Sequence, residues 1–408
     1  MKIYQVGGAV RDRLMGIEPH DIDYVVIGAT PQELIAKGFH QVGKNFPVFI
    51  NPENGFEYAL ARKETKIGPK HTDFEFVFSP STTLEEDMER RDFTCNALAY
   101  DEESKTIIDY HNGKEDIKNK ILRAVNPSHF IEDPLRVLRL CRFAAQLDFT
   151  PVQDTLELAS KMVAQNMLQY LSAERLWQEI YKALQTSHFE KFIITARQCG
   201  ALKEILPEIE LLFQTPERTD FHPEGNSGAH TLLCLKQVTE ASAKIKFAVL
   251  LHDIGKTLTP KDILPSHHNH DHAGLEIIKG ICSRLKVPHD YRDFALLCCK
   301  QHMKLHLVRQ MRLGTLVDFA SAFLQNNTLE DFITVCHADF LGRDYHITDE
   351  EKSTFKQNAD FLRKVVDILK NIKASDMPNF NQMPKDKTFS EKFRQFQISV
   401  LKQFLNKS

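Results

Sequence analysis

The sequence lacks the cysteine pattern of a secreted, disulfide-bonded protein. Its eight cysteines are scattered over 408 residues and include no Cys-x-x-Cys pair. The one adjacent pair, Cys298 and Cys299, cannot form an ordinary bridge. This pattern is typical of reduced, structural cysteines in a cytosol.

Long apolar runs and an excess of one charge are also missing. No run approaches the length of a membrane-spanning helix, and the N-terminal MKIYQVGGAV lacks the apolar core and cleavage site of a signal peptide. A formal net charge of −3 gives no general attraction to nucleic acid, so such binding needs a local basic face. We expect a cytoplasmic protein without membrane partners, and its length predicts about two to four domains.

A phosphate-binding P-loop is missing as well. Gly255-Lys256-Thr257 ends like a Walker motif, but Leu250 occupies the position of the first glycine. Any site for a nucleoside triphosphate would therefore need other residues.

The stretch from Gly7 to Ile27 predicts such a site. A strand at 4–6 runs into two glycines and a helix with Arg11, and Asp21 and Asp23 open the next strand. Alternate strand residues share a face, so the two carboxylates repel each other unless a cation, most simply a divalent metal, lies between them. Glycines allow a ligand to approach, and the helix start offers N–H groups to an anion. We interpret the stretch as a metal-bound triphosphate site; the alternative is a solvated Asp-x-Asp on a surface strand.

The first 80 residues predict an α+β unit, with a capped helix after Thr30 and further short strands. Glu57 and Glu75 lie in these strands, and either could supply a third carboxylate, although an exposed edge charge is the favoured explanation for each. A second capping box at Thr83 predicts a helix over 84–99. Further strands are expected to about Val125, and helices after it.

The segment after Asp133 predicts a helix with a selective face. Asp133 before Pro134 is a strong helix start, and Arg136 and Arg139 follow at intervals of three residues along one stripe. A weak surface salt bridge is the plain explanation. The alternative is base recognition: an Arg donor and an Asp acceptor match the Watson–Crick edges of cytosine and adenine, whereas uracil and guanine carry a ring N–H where the Arg donor points.

Five motifs stand in the order of a known family: GGAVRD at 7–12, DID at 21–23, RRDFTCNA at 90–97, EDPLRVLR at 132–139 and AERLWQEI at 173–180. Together they resemble the class II tRNA nucleotidyltransferases, the CCA-adding enzymes of the polymerase beta-like superfamily, and among these the bacterial multifunctional subgroup with an HD domain. The loop GPKHTDF at 68–74 departs from the usual family wording, so the switch from C to A addition could differ in detail.

The resemblance implies an α+β nucleotidyltransferase head with a polymerase beta-like mixed sheet, followed by an all-α neck, body and tail. The expected boundaries are 1–125 for the head, 126–185 for the neck with its nucleotide-selecting helix, 186–347 for the body and 348–408 for the tail. The implied reaction is template-independent addition and repair of the 3′-terminal CCA of tRNA from CTP and ATP, with release of pyrophosphate.

The resemblance also implies roles for individual residues. Asp21 and Asp23 would be catalytic and bind two Mg²⁺. The residues that would bind ATP or CTP are Gly8, Arg11, Arg91, Asp133, Arg136 and Arg139, with Asp133 and Arg136 reading the base. The chemistry agrees, because a tRNA 3′-hydroxyl must attack an α-phosphate in line and expel pyrophosphate.

A second constellation lies in the histidine-rich part of the chain. His252 and Asp253 end the apolar helix of FAVLLHDIGK, and burying both without a metal or partner is costly. With His230 and Asp339 they match the pattern of the HD phosphohydrolase superfamily, over about 228–340. His270 and His302 fall where two-metal members have further ligands, although His267, His268 and His272 compete with His270.

The HD resemblance implies metal-dependent 2′,3′-cyclic phosphodiesterase, 2′-nucleotidase and phosphatase activities, which could trim damaged tRNA ends before repair. Ni²⁺, Mg²⁺ and Mn²⁺ all remain open, and the resemblance favours nickel.

The last helix predicts a tRNA contact or a solvated face. It carries Lys392, Arg394, Lys402 and Lys407. The competing functions are a bacterial poly(A) polymerase, an HD phosphohydrolase with an accessory nucleotide-binding domain, and an RNA-binding scaffold without chemistry. The state of assembly, monomer or homodimer, is left open.

Overall fold

The protein is described by a computed structural model over residues 1–19, 21–42, 48–66, 74–220, 222–325, 328–378, 380 and 387–405, with the side chains at 63–66, 74–78 and 387 outside that description. The chain divides into two compact units, Met1–Ile205 and Leu206–Ser408. In the described part of the chain, no helix is both long enough and apolar enough to cross a bilayer. All eight cysteines are buried and free.

The strands of the described chain all lie in the first unit. They are β1 (Lys2–Val6), β2 (Asp23–Ile27), β3 (His40–Val42), β4 (Val48–Ile50), β5 (Glu57–Leu60), β6 (Arg62–Lys66), β7 (Phe74–Phe78), β8 (Leu98–Asp101), β9 (Thr106–Asp109), β10 (Ile121–Leu122) and β11 (Thr150–Pro151). The main sheet is mixed and has the order β3-β4-β5-β2-β1-β8-β9. Only the β2–β5 pair within it is parallel, and its register sets Asp23 beside Glu57.

The sheet buries both faces because its central strands alternate between two apolar clusters. Val25 packs with Leu84 and Met88 on one face. Tyr24 and Val26 pack on the other with residues such as Leu34 and Phe49. Asp23 has the same parity as Val25, so strand geometry directs its side chain toward the face that Leu84 and Met88 cover.

The helices of the first unit support this sheet and extend beyond it. They are α1 (Gly8–Leu14), α2 (Pro31–Ala36), α3 (Leu84–Glu89), α4 (Gly113–Lys118), α5 (Pro127–Phe130), α6 (Leu135–Leu147), α7 (Gln153–Ala164), α8 (Ala173–Leu184), α9 (Phe189–Gln198) and α10 (Ala201–Ile205). Both expected capping boxes are present, at Thr30 and Thr83. A buried ion pair joins α6 to α8, since Arg142 Nε donates to Glu179 Oε2 at 2.6 Å.

The predicted continuous helix over 84–99 is wrong. Helix α3 ends at Glu89, a 3-10 turn covers Thr94–Asn96, and β8 begins at Leu98. The break has a physical cause in the intervening residues. Phe93 is extended, and Asp92 accepts a hydrogen bond from its backbone N–H at 2.8 Å.

One strand and one helix also begin one or two residues later than expected. Strand β2 begins at Asp23, so Asp21 lies just before it. Helix α6 begins at Leu135, and Asp133 still acts as a cap because its Oδ1 accepts from the backbone N–H of Leu135 at 3.0 Å.

Among the described residues of the second unit, the regular elements are helices, joined by loops and one isolated bridge between Pro216 and Asn226. Its helices are α11 (Pro207–Leu212), α12 (Ser227–Lys236), α13 (Ala243–Leu251), α14 (His270–Leu285), α15 (His289–His306), α16 (Leu313–Ser321), α17 (Leu329–Leu341), α18 (Asp349–Lys370) and α19 (Lys387–Leu405). The expected fold class, an α+β head followed by helices, is confirmed. The division into head, neck, body and tail at the expected boundaries stays a prediction.

Candidate active sites

A cleft of about 610 Å³ in the first unit gathers most of the residues expected to bind the nucleotide. We call it the nucleotide cleft. Of the expected residues, those that line it are Gly8, Arg11, Asp23, Arg91, Asp133, Arg136 and Arg139. Asp21 is not among the lining residues, although its charge acts on Asp23.

The acidic edge of the nucleotide cleft is formed by two parallel strands. Asp23 opens β2, and Glu57, its registered neighbour, opens β5; both line the cleft. Burial against the cleft wall raises the pKa of Asp23, Arg91 opposes this shift and Asp21 adds to it. Carboxylate oxygens crowded in this way are the donors that Mg²⁺ prefers. The donor chemistry of these residues therefore fits a magnesium site, and a third carboxylate from Glu57 stays a prediction.

The other candidate for that role, Glu75, has its side chain outside the described residues. The divergent loop from 68 to 74 lies outside them up to residue 73.

Glycine at position 7 is required by its neighbours. Gly7 has a φ of +73°, and a Cβ there would lie 2.9 Å from a guanidinium nitrogen of Arg91. Arg91 is held over this turn by hydrogen bonds to the Asn96 carbonyl (3.3 Å) and to Asp87 (3.5 Å). The turn and the guanidinium thus approach each other at the cleft without a side chain between them.

Arg11 is fixed by residues that sequence reasoning did not assign to it. Its Nη1 donates to Asn96 Oδ1 at 2.6 Å, and its Nε donates to Asp12 Oδ1 at 2.8 Å. Asn96 in turn donates to Asp92 Oδ1 at 3.1 Å. The 3-10 turn that interrupts the expected helix therefore places the amide that orients Arg11.

Asp92 connects this turn to α6. Arg139 Nε donates to Asp92 Oδ2 at 2.7 Å. Burial would raise the pKa of Asp92, but Arg139, Asn96 and Arg136 outweigh it and lower the pKa to about 2. Asp92 is therefore ionised and holds Arg139 in the wall of the nucleotide cleft.

Asp133 and Arg136 lie on the same wall but interact with different partners. Arg136 Nη2 donates to the Arg90 carbonyl at 2.6 Å, and its Nη1 donates to the His129 carbonyl. Asp133 Oδ2 lies 3.9 Å from Arg175. The two backbone carbonyls thus fix the orientation of the Arg136 guanidinium, and Arg136 and Asp133 both line the nucleotide cleft.

The second unit contains a cleft of about 420 Å³, which we call the histidine cleft. Four of the six expected residues line this cleft: Asp253 after α13, His270 from the start of α14, His302 from α15 and Asp339 from α17. His230 from α12 and His252 after α13 are not among its lining residues, but their Nε2 atoms lie 3.1 and 3.8 Å from Asp339. All six are buried.

The first group in the histidine cleft surrounds Asp339. His230 Nε2 lies 3.1 Å from Asp339 Oδ1, and His252 Nε2 lies 3.8 Å from the same oxygen. His252 Nδ1 donates to the Val249 carbonyl at 2.7 Å, while its Nε2 is buried without a hydrogen-bond partner. Burial would lower the pKa of His252, but Asp253 and Asp339 raise it well above the usual value.

The second group surrounds Asp253 Oδ1. His270 Nε2 lies 3.3 Å and His302 Nε2 lies 3.5 Å from this oxygen. Asp253 Oδ2 faces His252 Nε2 at 3.3 Å, so one carboxylate touches both groups. Of the four competing histidines, the structure places His270 here, whereas His267 pairs with Thr259 and Glu217.

Sequence reasoning missed the lysine and glutamate beside this carboxylate. Lys256 Nζ lies 2.8 Å from Asp253 Oδ2 and 2.7 Å from Glu217 Oε1. Burial opposes the charge on Lys256, but these two carboxylates raise its pKa. The Gly-Lys-Thr sequence that resembles the end of a P-loop thus supplies a buried cation to the histidine cleft.

The residues of the histidine cleft fit a metal centre. Imidazole nitrogens and carboxylate oxygens from several helices converge, and the unpartnered His252 Nε2 points among them. Buried nitrogens without partners are costly unless something binds them.

Comparison with known proteins begins with three family profiles that match in order. They are described as "Poly A polymerase head domain" over residues 3–123, "Probable RNA and SrmB- binding site of polymerase A" over 148–212, and "HD domain" over 227–325. Fold and profiles together define a polymerase-type nucleotidyltransferase head followed by an HD domain.

Two relatives are similar over most of their length. The multifunctional CCA protein of Acinetobacter baumannii (strain AYE) is 41% identical over 414 residues, covering 100% of this chain and 98% of that protein. The multifunctional CCA protein of Vibrio vulnificus (strain YJ016) is 44% identical over 351 residues, covering 84% of this chain and 86% of that protein. The chain belongs to the family of multifunctional CCA proteins, which are CCA-adding enzymes with an HD domain.

Solved structures of the same fold come from more distant enzymes. The Bacillus stearothermophilus CCA-adding enzyme in complex with CTP has a TM-score of 0.65 at 22% identity, covering 98% of this chain and 89% of that chain. The Thermotoga maritima CCA-adding enzyme complexed with tRNA has a TM-score of 0.61 at 19% identity, covering 99% and 91%.

Proposed function

We propose that the first unit adds C, C and A to the 3′ end of tRNA from CTP and ATP and releases pyrophosphate. The observation that carries the proposal is that the acidic edge with Asp23 and the wall with Asp133 and Arg136 belong to one cleft. The first feature suits a metal-bound triphosphate and the second suits a base, so a single nucleotide fits between them.

The residues of the nucleotide cleft divide the work by chemistry. Arg11 and Arg91 are cations beside the open Gly7–Gly8 turn, where the triphosphate would lie. Asp21 and Asp23, with Glu57 as the third carboxylate, would hold Mg²⁺. When bound, Mg²⁺ lowers the pKa of the attacking 3′-hydroxyl and stabilises the leaving oxygens.

Base selection is assigned to Asp133 and Arg136. Arg136 would donate to the ring nitrogen of cytosine or adenine, and Asp133 would accept from the amino group. Arg139, held by Asp92, would keep the neighbouring wall in place. Uracil and guanine would present a ring N–H to the Arg136 donor, so neither donor would find an acceptor. Because unpaired buried polar groups cost free energy, these two bases would be selected against.

The test is incorporation into a tRNA that lacks its 3′ end, with each NTP alone and with CTP and ATP together. We expect two C and one A, loss of all incorporation in Asp21→Ala and Asp23→Ala, and relaxed base choice in Asp133→Ala. Long A tails would instead indicate a poly(A) polymerase, and the absence of incorporation would leave only an HD phosphohydrolase.

We infer that the second unit is a metal-dependent phosphohydrolase acting on 2′,3′-cyclic phosphates, 2′-nucleotides and phosphomonoesters. The buried Nε2 of His252, which makes no hydrogen bond and lies among five further ligand-type side chains, favours this second function. His230, His252, Asp253 and Asp339 would hold one divalent metal, and His270 and His302 would share Asp253 with a second. Ni²⁺, Mg²⁺ or Mn²⁺ would activate a water for attack on phosphorus.

Hydrolysis of a 2′,3′-cyclic nucleotide by the full-length protein tests this inference. We expect His252→Ala and Asp253→Ala to lose the activity while CTP incorporation is retained. Full hydrolysis in both variants would refute the ligand assignment.

A further inference from the structure

We propose that the Cys234 thiolate is a further ligand, with His230, His252 and Asp339, of the first metal assigned above, which Asp253 would also contact. This inference rests on the proposed phosphohydrolase centre, and it adds a sulfur donor to a site otherwise made of imidazoles and carboxylates.

The position of Cys234 follows from helix geometry. It lies one turn after His230 on α12, so both side chains project from the same face of that helix. Its Sγ lies 3.4 Å from His230 Nε2, and one ligand atom from each of the four residues falls within 4.8 Å of the others. In a tetrahedral centre with metal–nitrogen and metal–sulfur bonds of about 2.0–2.1 and 2.3 Å, ligand atoms are about 3.4–3.6 Å apart.

The two histidines already point the correct nitrogen at this space. His230 Nδ1 lies 3.0 Å from the Gly342 carbonyl and 3.1 Å from Glu224 Oε1, and His252 Nδ1 lies 2.7 Å from the Val249 carbonyl. These acceptors would keep a proton on Nδ1, so that with a metal bound each Nε2 would be free to act as the ligand atom, as is usual for metal-binding histidines. His252 Nε2 is buried, makes no hydrogen bond, and lies 3.3 Å from Asp253 and 3.8 Å from Asp339.

The end of α17 makes room for the thiol. A Cβ at Gly342 would lie 2.3 Å from Cys234 Sγ and 2.8 Å from the Cys234 backbone nitrogen. Glycine therefore lets α12 pack against the end of the helix that carries Asp339. The thiol is brought among polar ligand atoms rather than into an apolar core, where a structural cysteine usually lies.

A thiolate changes which ions the site prefers. Sulfur favours borderline and soft metals such as Zn²⁺ and Ni²⁺, whereas Mg²⁺ prefers oxygen. On binding, the S–H bond breaks, the proton passes to solvent and the sulfur forms the metal bond. The structure thus supplies a reason, within this chain, for a nickel- or zinc-type centre in the second unit.

The first test uses full-length protein stripped of metal and loaded to saturation with Co²⁺. We expect a sulfur-to-cobalt charge-transfer absorption that disappears in Cys234→Ala and persists in Cys282→Ala, a buried cysteine of α14 outside the ligand group. Loss of a direct ligand should weaken Ni²⁺ binding at least about tenfold, as loss of an indirect support does. A spectrum without this band, or a band that persists in Cys234→Ala, would overturn the proposal.

The second test needs no variant, so it holds even if Cys234→Ala fails to fold. X-ray absorption of the Zn²⁺-loaded protein should show one sulfur at about 2.3 Å among nitrogen and oxygen neighbours; nitrogen and oxygen alone would refute thiolate ligation. Hydrolysis of a 2′,3′-cyclic nucleotide is measured in parallel. Sulfur ligation without hydrolysis would reject the proposed activity alone, and hydrolysis without sulfur ligation would reject the thiolate alone.

Discussion

Asp92 orders two parts of the nucleotide cleft at once. It is buried, its pKa is lowered to about 2, and it holds both Asn96 and Arg139. Through these two partners it fixes Arg11 and Arg139, which both line the nucleotide cleft. No motif comparison is needed to recognise this role, because it follows from the hydrogen bonds.

Asp92→Asn is expected to destabilise the protein in a pH-dependent way. The pKa of Asp92 is lower in the folded protein than the unfolded value of about 3.9, so its carboxylate stabilises the folded state fully above that pH. This contribution to the free energy of unfolding is lost as the pH falls toward 2. We expect Asp92→Asn to lower the free energy of unfolding by about 2 kcal/mol at pH 7. Urea titrations measure this difference. The difference from the natural protein should shrink between pH 4 and pH 3, and a constant difference would contradict this explanation.

At the scale of elements, Gly255 sets how closely α14 approaches the turn after α13. A Cβ at Gly255 would lie 1.9 Å from the His270 carbonyl and 2.5 Å from the Gly274 nitrogen. Because His270 is the first residue of α14 and faces Asp253, this contact fixes a ligand as well as a helix.

Gly255→Ala should therefore displace His270 and weaken metal binding at least about tenfold, with loss of cyclic-nucleotide hydrolysis. Gly280→Ala, also on α14, is the matched control because its Cβ would meet open space. That control should keep hydrolysis and gain up to about 1 kcal/mol from helix propensity. Equal metal affinity in the two variants, by calorimetry, would show that the close approach does not position the ligand.

Helix α19 illustrates how an element can hold two kinds of basic residue. Arg394 forms an ion pair with Asp318 of α16 at 2.6 Å, so it joins two helices of the second unit. Lys392 and Lys402 are exposed, and Lys407 lies outside the described residues. A tRNA contact by this helix therefore rests on the lysines.

The double variant Lys392→Ala/Lys402→Ala should weaken tRNA binding and reduce the salt dependence of log K by about 0.9 for each lost phosphate contact. Affinity for CTP should not change. Filter binding at several salt concentrations measures both effects, and unchanged tRNA affinity would refute the contact.

Local signals in the sequence predicted local structure well. The capping boxes at Thr30 and Thr83 are present because a cap is decided by residues three apart. The helix over 84–99 failed because Thr94 instead donates its backbone N–H to the Arg123 carbonyl, a contact between distant residues. Helix propensity describes each residue by itself, so it cannot predict a hydrogen bond to a residue far away in the sequence.

The difference between local and distant contacts also explains which site residues the sequence predicted and which it did not. His252 and Asp253 are adjacent and Asp21 and Asp23 are two residues apart, so the chemistry of each pair could be predicted from the sequence directly. Which of the neighbouring histidines faces Asp253 depends on how α14 packs, and the structure places His270 there. The position of Glu57 beside Asp23 depends on the register of β2 and β5. Cys234 could have been noticed, because a histidine and a cysteine one helical turn apart face the same way.

At the scale of the whole molecule, each proposed reaction has all of its residues in one compact unit. The nucleotide cleft is built from residues of Met1–Ile205 and the histidine cleft from residues of Leu206–Ser408. Two separate sites on one chain suggest that the product of one reaction is the substrate of the other. A tRNA ending in a 2′,3′-cyclic phosphate has no free 3′-hydroxyl, and hydrolysis of the ring followed by removal of the phosphate would supply it.

The natural protein should therefore extend a tRNA with a cyclic phosphate end when CTP and ATP are present. His252→Ala should extend only tRNA with a free 3′-hydroxyl, and Asp21→Ala should extend neither. Because each variant keeps one intact site, a mixture of the two should restore extension of the cyclic end. Sequencing gels of labelled tRNA measure all four conditions, and extension of the cyclic end by His252→Ala alone at the natural rate would show that the histidine cleft does not prepare this substrate.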